Sequence, residues 1–199
     1  MTTSGRIELM APAGNFESMQ AALDNGCDSI YFGVEQLNMR ARATVNFVLD
    51  DLPEIARRCN EKNVRTYLTL NTIIYDHDLS IVKTLLTKAK EAGITAVIAS
   101  DQAVIMTART IGMEVHISTQ LNVTNIETVK FYAMFADTIV LSRELSLRQV
   151  KKITDDIEKE QIKGPSGNLV EIEIFGHGAL CMAVSGKCYL SLHSHNSSA

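Results

Sequence analysis

The run Arg65-Thr66-Tyr67-Leu68-Thr69-Leu70, the run Ile81-Val82-Lys83-Thr84-Leu85-Leu86-Thr87-Lys88-Ala89-Lys90-Glu91-Ala92 and the run Ala96-Val97-Ile98-Ala99 together decide the fold class. The first and third are short, apolar and bounded by turn residues, as buried strands are. In the second, Ile81, Val82, Leu85, Leu86, Ala89 and Ala92 share a helical face, while Lys83, Lys88, Lys90 and Glu91 lie elsewhere. Gly93 falls between this helix and the next strand, where a left-handed turn favours glycine. Strand, amphipathic helix and strand make one βα unit of a parallel sheet.

The same alternation extends in both directions. Strands are expected at residues 8–11, 29–32, 65–70, 96–99, 114–118, 138–141 and 171–175, seven in all. Gly26 and Gly112 repeat the position of Gly93. Leu147, Val150, Ile153 and Ile157 form the stripe of another helix, whose start carries a capping box from Ser146 and Gln149. Pro53 sits near the start of the second helix, where a missing N–H costs little. The strands read as apolar on both faces, as expected when helices cover the sheet.

A closed barrel and an open doubly wound sheet both fit this pattern. Even repetition favours the barrel, and the first turn, Ala11-Pro12-Ala13-Gly14-Asn15, is not a G-x-G-x-x-G phosphate loop. The expected fold is therefore α/β, a TIM-like (β/α) barrel. A complete one needs about 250 residues, and this chain has 199. Seven strands leave the barrel incomplete, so the chain is expected to be a fragment, organised as a single barrel domain over residues 1–199. The turn-rich stretch 163–168 reads as a simple connection.

Composition narrows the function classes. The chain is 46% hydrophobic, enough for a buried core, and carries 19 basic against 23 acidic residues, a net charge of −4. A generic nucleic-acid binder shows a basic surplus, so RNA binding here rests on a local patch. No apolar run approaches the ~20 residues of a membrane span, and residues 1–10 contain no signal-peptide core. The expected compartment is the cytoplasm. There the four cysteines are expected as thiols or metal ligands rather than disulfides.

Barrel active sites gather at the C-terminal ends of the strands. Those ends offer Asn71, Asp101, Gln120, Arg143, Glu144 and His177. Asn71, Asp101, Glu144 and His177 are candidate catalytic residues, each with helix capping or loop hydrogen bonding as its alternative. Arg40 and Arg42, in the loop after the second strand, are candidates to hold a carboxylate or phosphate through bidentate guanidinium contacts. Gln120 and Arg143 are further candidate substrate ligands, and Arg143 with Glu144 reads equally as a surface pair. Cys181 and Cys188 lie seven apart among glycines, and their thiolates suit zinc or an iron–sulfur cluster. His177, His193 and His195 match no standard zinc spacing. Cys27 and Cys59 read as buried, unreactive thiols.

The stretch from Glu173 to Ser191 resembles the signature of peptidase family U-32, the collagenase-like proteases. Glu173, Phe175, Gly178, Ala179, Leu180, Cys181, Gly186, Cys188, Leu190 and Ser191 fill every defined position of it. Further resemblance runs through Leu9-Met10-Ala11-Pro12-Ala13-Gly14, Tyr31-Phe32-Gly33, Asn38-Met39-Arg40-Ala41, Leu68-Thr69-Leu70-Asn71 and Ser142-Arg143-Glu144-Leu145-Ser146.

The resemblance implies an enzyme, and it implies two chemistries. Some members are described as degrading collagen. Others are iron–sulfur proteins that hydroxylate RNA or quinone precursors, one branch acting on the wobble uridine of tRNA with prephenate as cosubstrate. In these, four cysteines hold a [4Fe–4S] cluster. Cys181 and Cys188 correspond to the first two, and the others are expected downstream of Ala199. RNA hydroxylation is the leading expectation and peptide hydrolysis the alternative. A Cys181–His177 dyad is conceivable for hydrolysis, but neither an H-E-x-x-H nor a G-x-S-x-G motif is present. A third reading is a non-catalytic barrel that pairs with itself or another family member.

Overall fold

The computed structural model describes residues 7–34, 47–178 and 183–185. Among the described residues, seven strands form one parallel sheet in sequential order: β1 (Met10–Pro12), β2 (Ser29–Phe32), β3 (Arg65–Leu70), β4 (Ala96–Ala99), β5 (Glu114–Ile117), β6 (Thr138–Val140) and β7 (Glu171–Glu173). Within the same residues, six α-helices alternate with them: α1 (Phe16–Asp24), α2 (Leu52–Glu61), α3 (Leu79–Glu91), α4 (Gln102–Thr110), α5 (Ile126–Ala133) and α6 (Leu147–Glu160).

The sheet curls strongly. Strands two apart in a flat sheet are separated by about 9.6 Å, yet the rings of Tyr67 on β3 and His116 on β5 meet with centroids 4.5 Å apart across β4. The fold is a TIM-like α/β half-barrel, with helices on the outside of the curl.

Side-chain alternation sorts the two faces. Ile30, Leu68, Val97, Val115, Ile117 and Ile139 belong to one buried cluster with the helix residues Leu23, Ile55, Leu86, Val104, Val129 and Ile153. The opposite, axial face holds Tyr67, Ala96 and Ile98, with Met10 and Tyr31 against them. This face is not uniformly apolar as expected: Ser29, His116 and Thr138 are also buried there.

Local signals place the ends of the elements. Asn15 and Ser18 form a capping box at α1, and Ser146 and Gln149 form the expected one at α6. Gly26, Gly93 and Gly112 all take positive φ, between 71° and 86°, where a side chain would be strained.

Several boundaries and faces differ from expectation. β1 begins at Met10 rather than residue 8: the Leu9 N–H donates to the Asp28 carboxylate at 2.9 Å instead of entering the ladder, and the Glu8 side chain accepts the Tyr67 hydroxyl at 2.8 Å and pairs with Arg65. β7 stops at Glu173, and Ile174 and Phe175 are exposed. Ile81 and Leu147 are exposed as well, so the buried stripes centre on Val82, Leu85, Leu86 and Ala89 in α3 and on Ile153 and Ile157 in α6.

Candidate active site at the mouth of the half-barrel

The C-terminal end of β6 leads into Leu141-Ser142-Arg143-Glu144, and this turn grips the segment that follows β7. The Ser185 N–H donates to Glu144 Oε1 at 2.7 Å. Arg143 donates from Nε to the Ser185 hydroxyl and from Nη2 to the Ala183 carbonyl, both at 3.4 Å, and its own N–H points at the same hydroxyl. Ser185 is only 1% exposed. Burial acts to raise the Glu144 carboxyl, but the N–H groups of Ser185 and of Glu144 itself, the Ser185 hydroxyl and Arg143 together hold it below its ordinary value. Arg143 and Glu144 thus fasten a segment that stands four residues after Cys181 and three before Cys188.

The base of this turn is itself tied down. The Ser142 N–H donates to the Val123 carbonyl at 3.0 Å, and the Ser142 hydroxyl donates to Asn122 Oδ1 at 2.5 Å. Asn122 sits in the left-handed region, φ 54°, which asparagine tolerates better than most residues. Gln120 lies in the one-turn 3-10 helix Thr119–Leu121, half-buried, its N–H directed at the Ser118 hydroxyl.

The remaining candidates fall into different roles. Asp101 caps α4: Oδ1 accepts the Ala103 N–H at 2.8 Å and Oδ2 the Ile74 N–H at 3.3 Å, which joins the β3 loop to α4. Asn71 directly follows β3 and is half-buried, while His177 is exposed beyond β7. Arg40, Arg42, Cys181 and Cys188 lie outside the described residues. Cys27 and Cys59 are buried in the helix-facing core, 7% and 0% exposed. Burial pushes both thiols up, that of Cys59 to about 11 with Cys27 adding to it, so neither offers a ready thiolate.

Sequence reasoning missed a second set of groups on the axial face. His116 Nε2 lies 3.2 Å from Glu114 Oε1, and this hydrogen bond, outweighing burial, lowers the Glu114 carboxyl. Glu173 is half-buried on β7; burial raises its carboxyl, and His116 counteracts part of the rise. Burial likewise pushes the Tyr67 phenol up. The missed signal was the alternation Glu114-Val115-His116 and Glu171-Ile172-Glu173 in strands expected to be apolar on both faces.

Residues 14–199 match the model of peptidase family U32. The chain belongs to this family. It is 56% identical over 193 residues to a collagenase of Porphyromonas gingivalis, a match covering 97% of this chain and 47% of that protein. It is also 30% identical over 189 residues to tRNA hydroxylation protein P1 of Bacillus subtilis, covering 94% of this chain and 42% of that one. The chain therefore spans about half the length of the curated relatives it matches. Among solved structures, the U32 peptidase Mk0906 superposes with a TM-score of 0.63 at 14% identity, covering 87% of this chain and 70% of that one. At that identity the likeness speaks to the fold, and it places the half-barrel within the family's architecture. No helix among the described residues is long and apolar enough to cross a membrane.

Proposed function

We propose that this chain is the barrel portion of an iron–sulfur enzyme that hydroxylates RNA, its substrate being the wobble uridine of tRNA. The observation that carries the reading is the fastening of residues 183–185 by Arg143 and Glu144. A cluster needs its thiolates on a backbone whose position is set beforehand. The clasp supplies that between Cys181 and Cys188, at the end of the sheet where barrel enzymes react.

The donor chemistry fits a cluster in part. Cys181 and Cys188 are soft ligands flanked by glycines, while Cys27 and Cys59 are buried away from the mouth with raised thiol pKa values. Two of the four thiolates of a [4Fe–4S] cluster are thus available here. When bound, the cluster supplies one-electron chemistry. Arg143 and Glu144 orient the loop, and Arg40 and Arg42 supply positive charge suited to a carboxylate cosubstrate such as prephenate or to RNA phosphate. The relative from Bacillus subtilis, named for tRNA hydroxylation, supports this reading along 94% of the chain.

Peptide hydrolysis is the second reading, favoured by the 56% identity to a protein named collagenase. One experiment separates the two. The full-length protein is purified without oxygen, and iron and sulfide are counted. About four of each per chain, lost in Cys181→Ala and in Cys188→Ala, together with hydroxylated uridine in tRNA from complemented cells, is the expected result. Absence of iron after reconstitution, with gelatin cleavage by the same preparation, overturns it in favour of hydrolysis.

A further inference from the structure

In a (β/α) barrel the interior is filled in layers, each built by side chains from alternate strands and dominated by bulky branched residues. The layer of the odd-numbered strands can be traced here from register. Tyr67 on β3 registers with Ala96 and, through it, with Glu114 on β5. Its ring nevertheless meets His116, two residues further along β5. That two-residue stagger per pair of strands is the tilt of the strands about the axis. The same stagger applied once more starts at His116, which registers with Glu171 on β7 through Thr138, and arrives at Glu173. Tyr67, His116 and Glu173 therefore occupy one layer of the interior. Two of the three bring an imidazole and a carboxyl to a place where apolar side chains are the rule.

The imidazole in this layer is not self-sufficient. His116 is 3% exposed. Nε2 faces the Glu114 carboxylate at 3.2 Å, which makes Nε2 the protonated nitrogen. Nδ1 is buried and has no hydrogen-bond partner among the described residues. A buried polar atom without a partner is costly enough that a native site holds something for it.

The geometry points to a second functional site: His116 and Glu173 form a proton-transfer pair in the barrel interior. A water or a hydroxyl of the substrate, which can both accept and donate, occupies the place between Nδ1 and the Glu173 carboxyl. Glu173 in its acid form donates to that group while Nδ1 accepts from it, and reversal returns the proton. No bond to carbon is made or broken at this pair. The site stands whether the reaction at the mouth is hydroxylation or hydrolysis, since both move protons. The surrounding charges are known: Glu114 backs His116 from β5, Arg65 on β3 lies near Glu114 and Tyr67, and Tyr67 covers the imidazole from β3. Glu8 engages Arg65 and the Tyr67 hydroxyl from the start of the chain.

The test follows the Glu173 carboxyl carbon by NMR through a pH titration of the protein, assigned with Glu173→Gln. The wild-type carboxyl is expected to titrate above the ordinary glutamate range. In His116→Asn its midpoint is expected to move by about half a pH unit or more, because the imidazole that shares its proton has been removed. An exposed glutamate with a merely structural role would show neither response. A wild-type midpoint in the ordinary range overturns the proposal without any variant being needed. So does a midpoint unmoved by His116→Asn. If that variant does not fold, Glu114→Gln serves, with the Glu173 midpoint again expected to shift and its constancy overturning the pair.

Discussion

The two faces of the one sheet are built on different principles. The face toward the helices is filled by Ile30, Leu68, Val97, Val115, Ile117 and Ile139 against apolar helix stripes, and the Cys27 and Cys59 thiols in it are pushed up by burial. The face toward the axis carries Tyr67, Glu114, His116 and Glu173, linked by ring contact, hydrogen bond and charge. The first face gains free energy from burial in proportion to area. The second trades some of that gain for polar groups whose charge is sensitive to their neighbours. The stability of this fold therefore resides on the outside of the curl, and its adaptable chemistry on the inside and at the mouth.

The contrast is tested most severely by truncating the outer face. Leu68 is fully buried on β3 against the helices. Leu68→Ala is expected to destabilise the protein by about 3 kcal/mol, from lost transfer energy and the cavity left behind. Urea denaturation monitored by circular dichroism measures it. A loss under about 1 kcal/mol would mean that this layer can repack and that the two faces differ less than their composition implies.

The periodicity that exposed the outer face in the sequence exposed little of the inner one. Four strands show why. Residues 29–32, 65–70 and 96–99 were legible to the residue because their apolar runs end at glycine or polar turns. The β5 run was legible as a strand, but the meaning of His116 was not. A histidine between Val115 and Ile117 looks like an ordinary core residue until the curl brings it against Tyr67 across an intervening strand. The same holds at the mouth. Arg143 and Glu144 were visible as a charged pair after β6, but their partner, Ser185, lies about forty residues away, and no local pattern encodes that contact. Asp101 was ambiguous between catalysis and capping, and the Ala103 and Ile74 N–H groups take up both of its oxygens.

The inner face should respond to substitution with the opposite sign. Burial raises the Glu173 carboxyl above its unfolded value. For an acid, a raised folded pKa means that the charged form is disfavoured in the fold, so Glu173 reduces stability as pH rises from its unfolded value through its folded one, and the penalty is complete above that. The penalty disappears as pH falls below the unfolded value, where both states are protonated. Glu173→Gln is therefore expected to stabilise the protein near neutral pH and to have little effect below about pH 4. Thermal unfolding of both proteins across that range measures the difference. A Glu173→Gln protein less stable than wild type at pH 7 would show that the carboxylate is favourably paired, and the two faces would then share one stabilising logic.

The smallest expected effect concerns the mouth, where structure is held locally rather than by the core. Glu144 is exposed, so its bond to Ser185 contributes little to global unfolding. Its weight falls on the segment between the two cysteines. In Glu144→Gln the melting temperature is expected to move by no more than about 2 °C, while exchange of the Ser185 amide quickens roughly tenfold. Acidification should act in the same direction. The folded Glu144 pKa is lowered, so the bond is intact above the unfolded value and weakens as pH falls through the folded one. Hydrogen exchange resolved at Ser185 reads both effects, corrected for the slower intrinsic exchange at low pH. Equal protection in wild type and Glu144→Gln would leave Arg143 as the residue that fastens the segment, since its contacts to Ala183 and the Ser185 hydroxyl do not pass through the carboxylate.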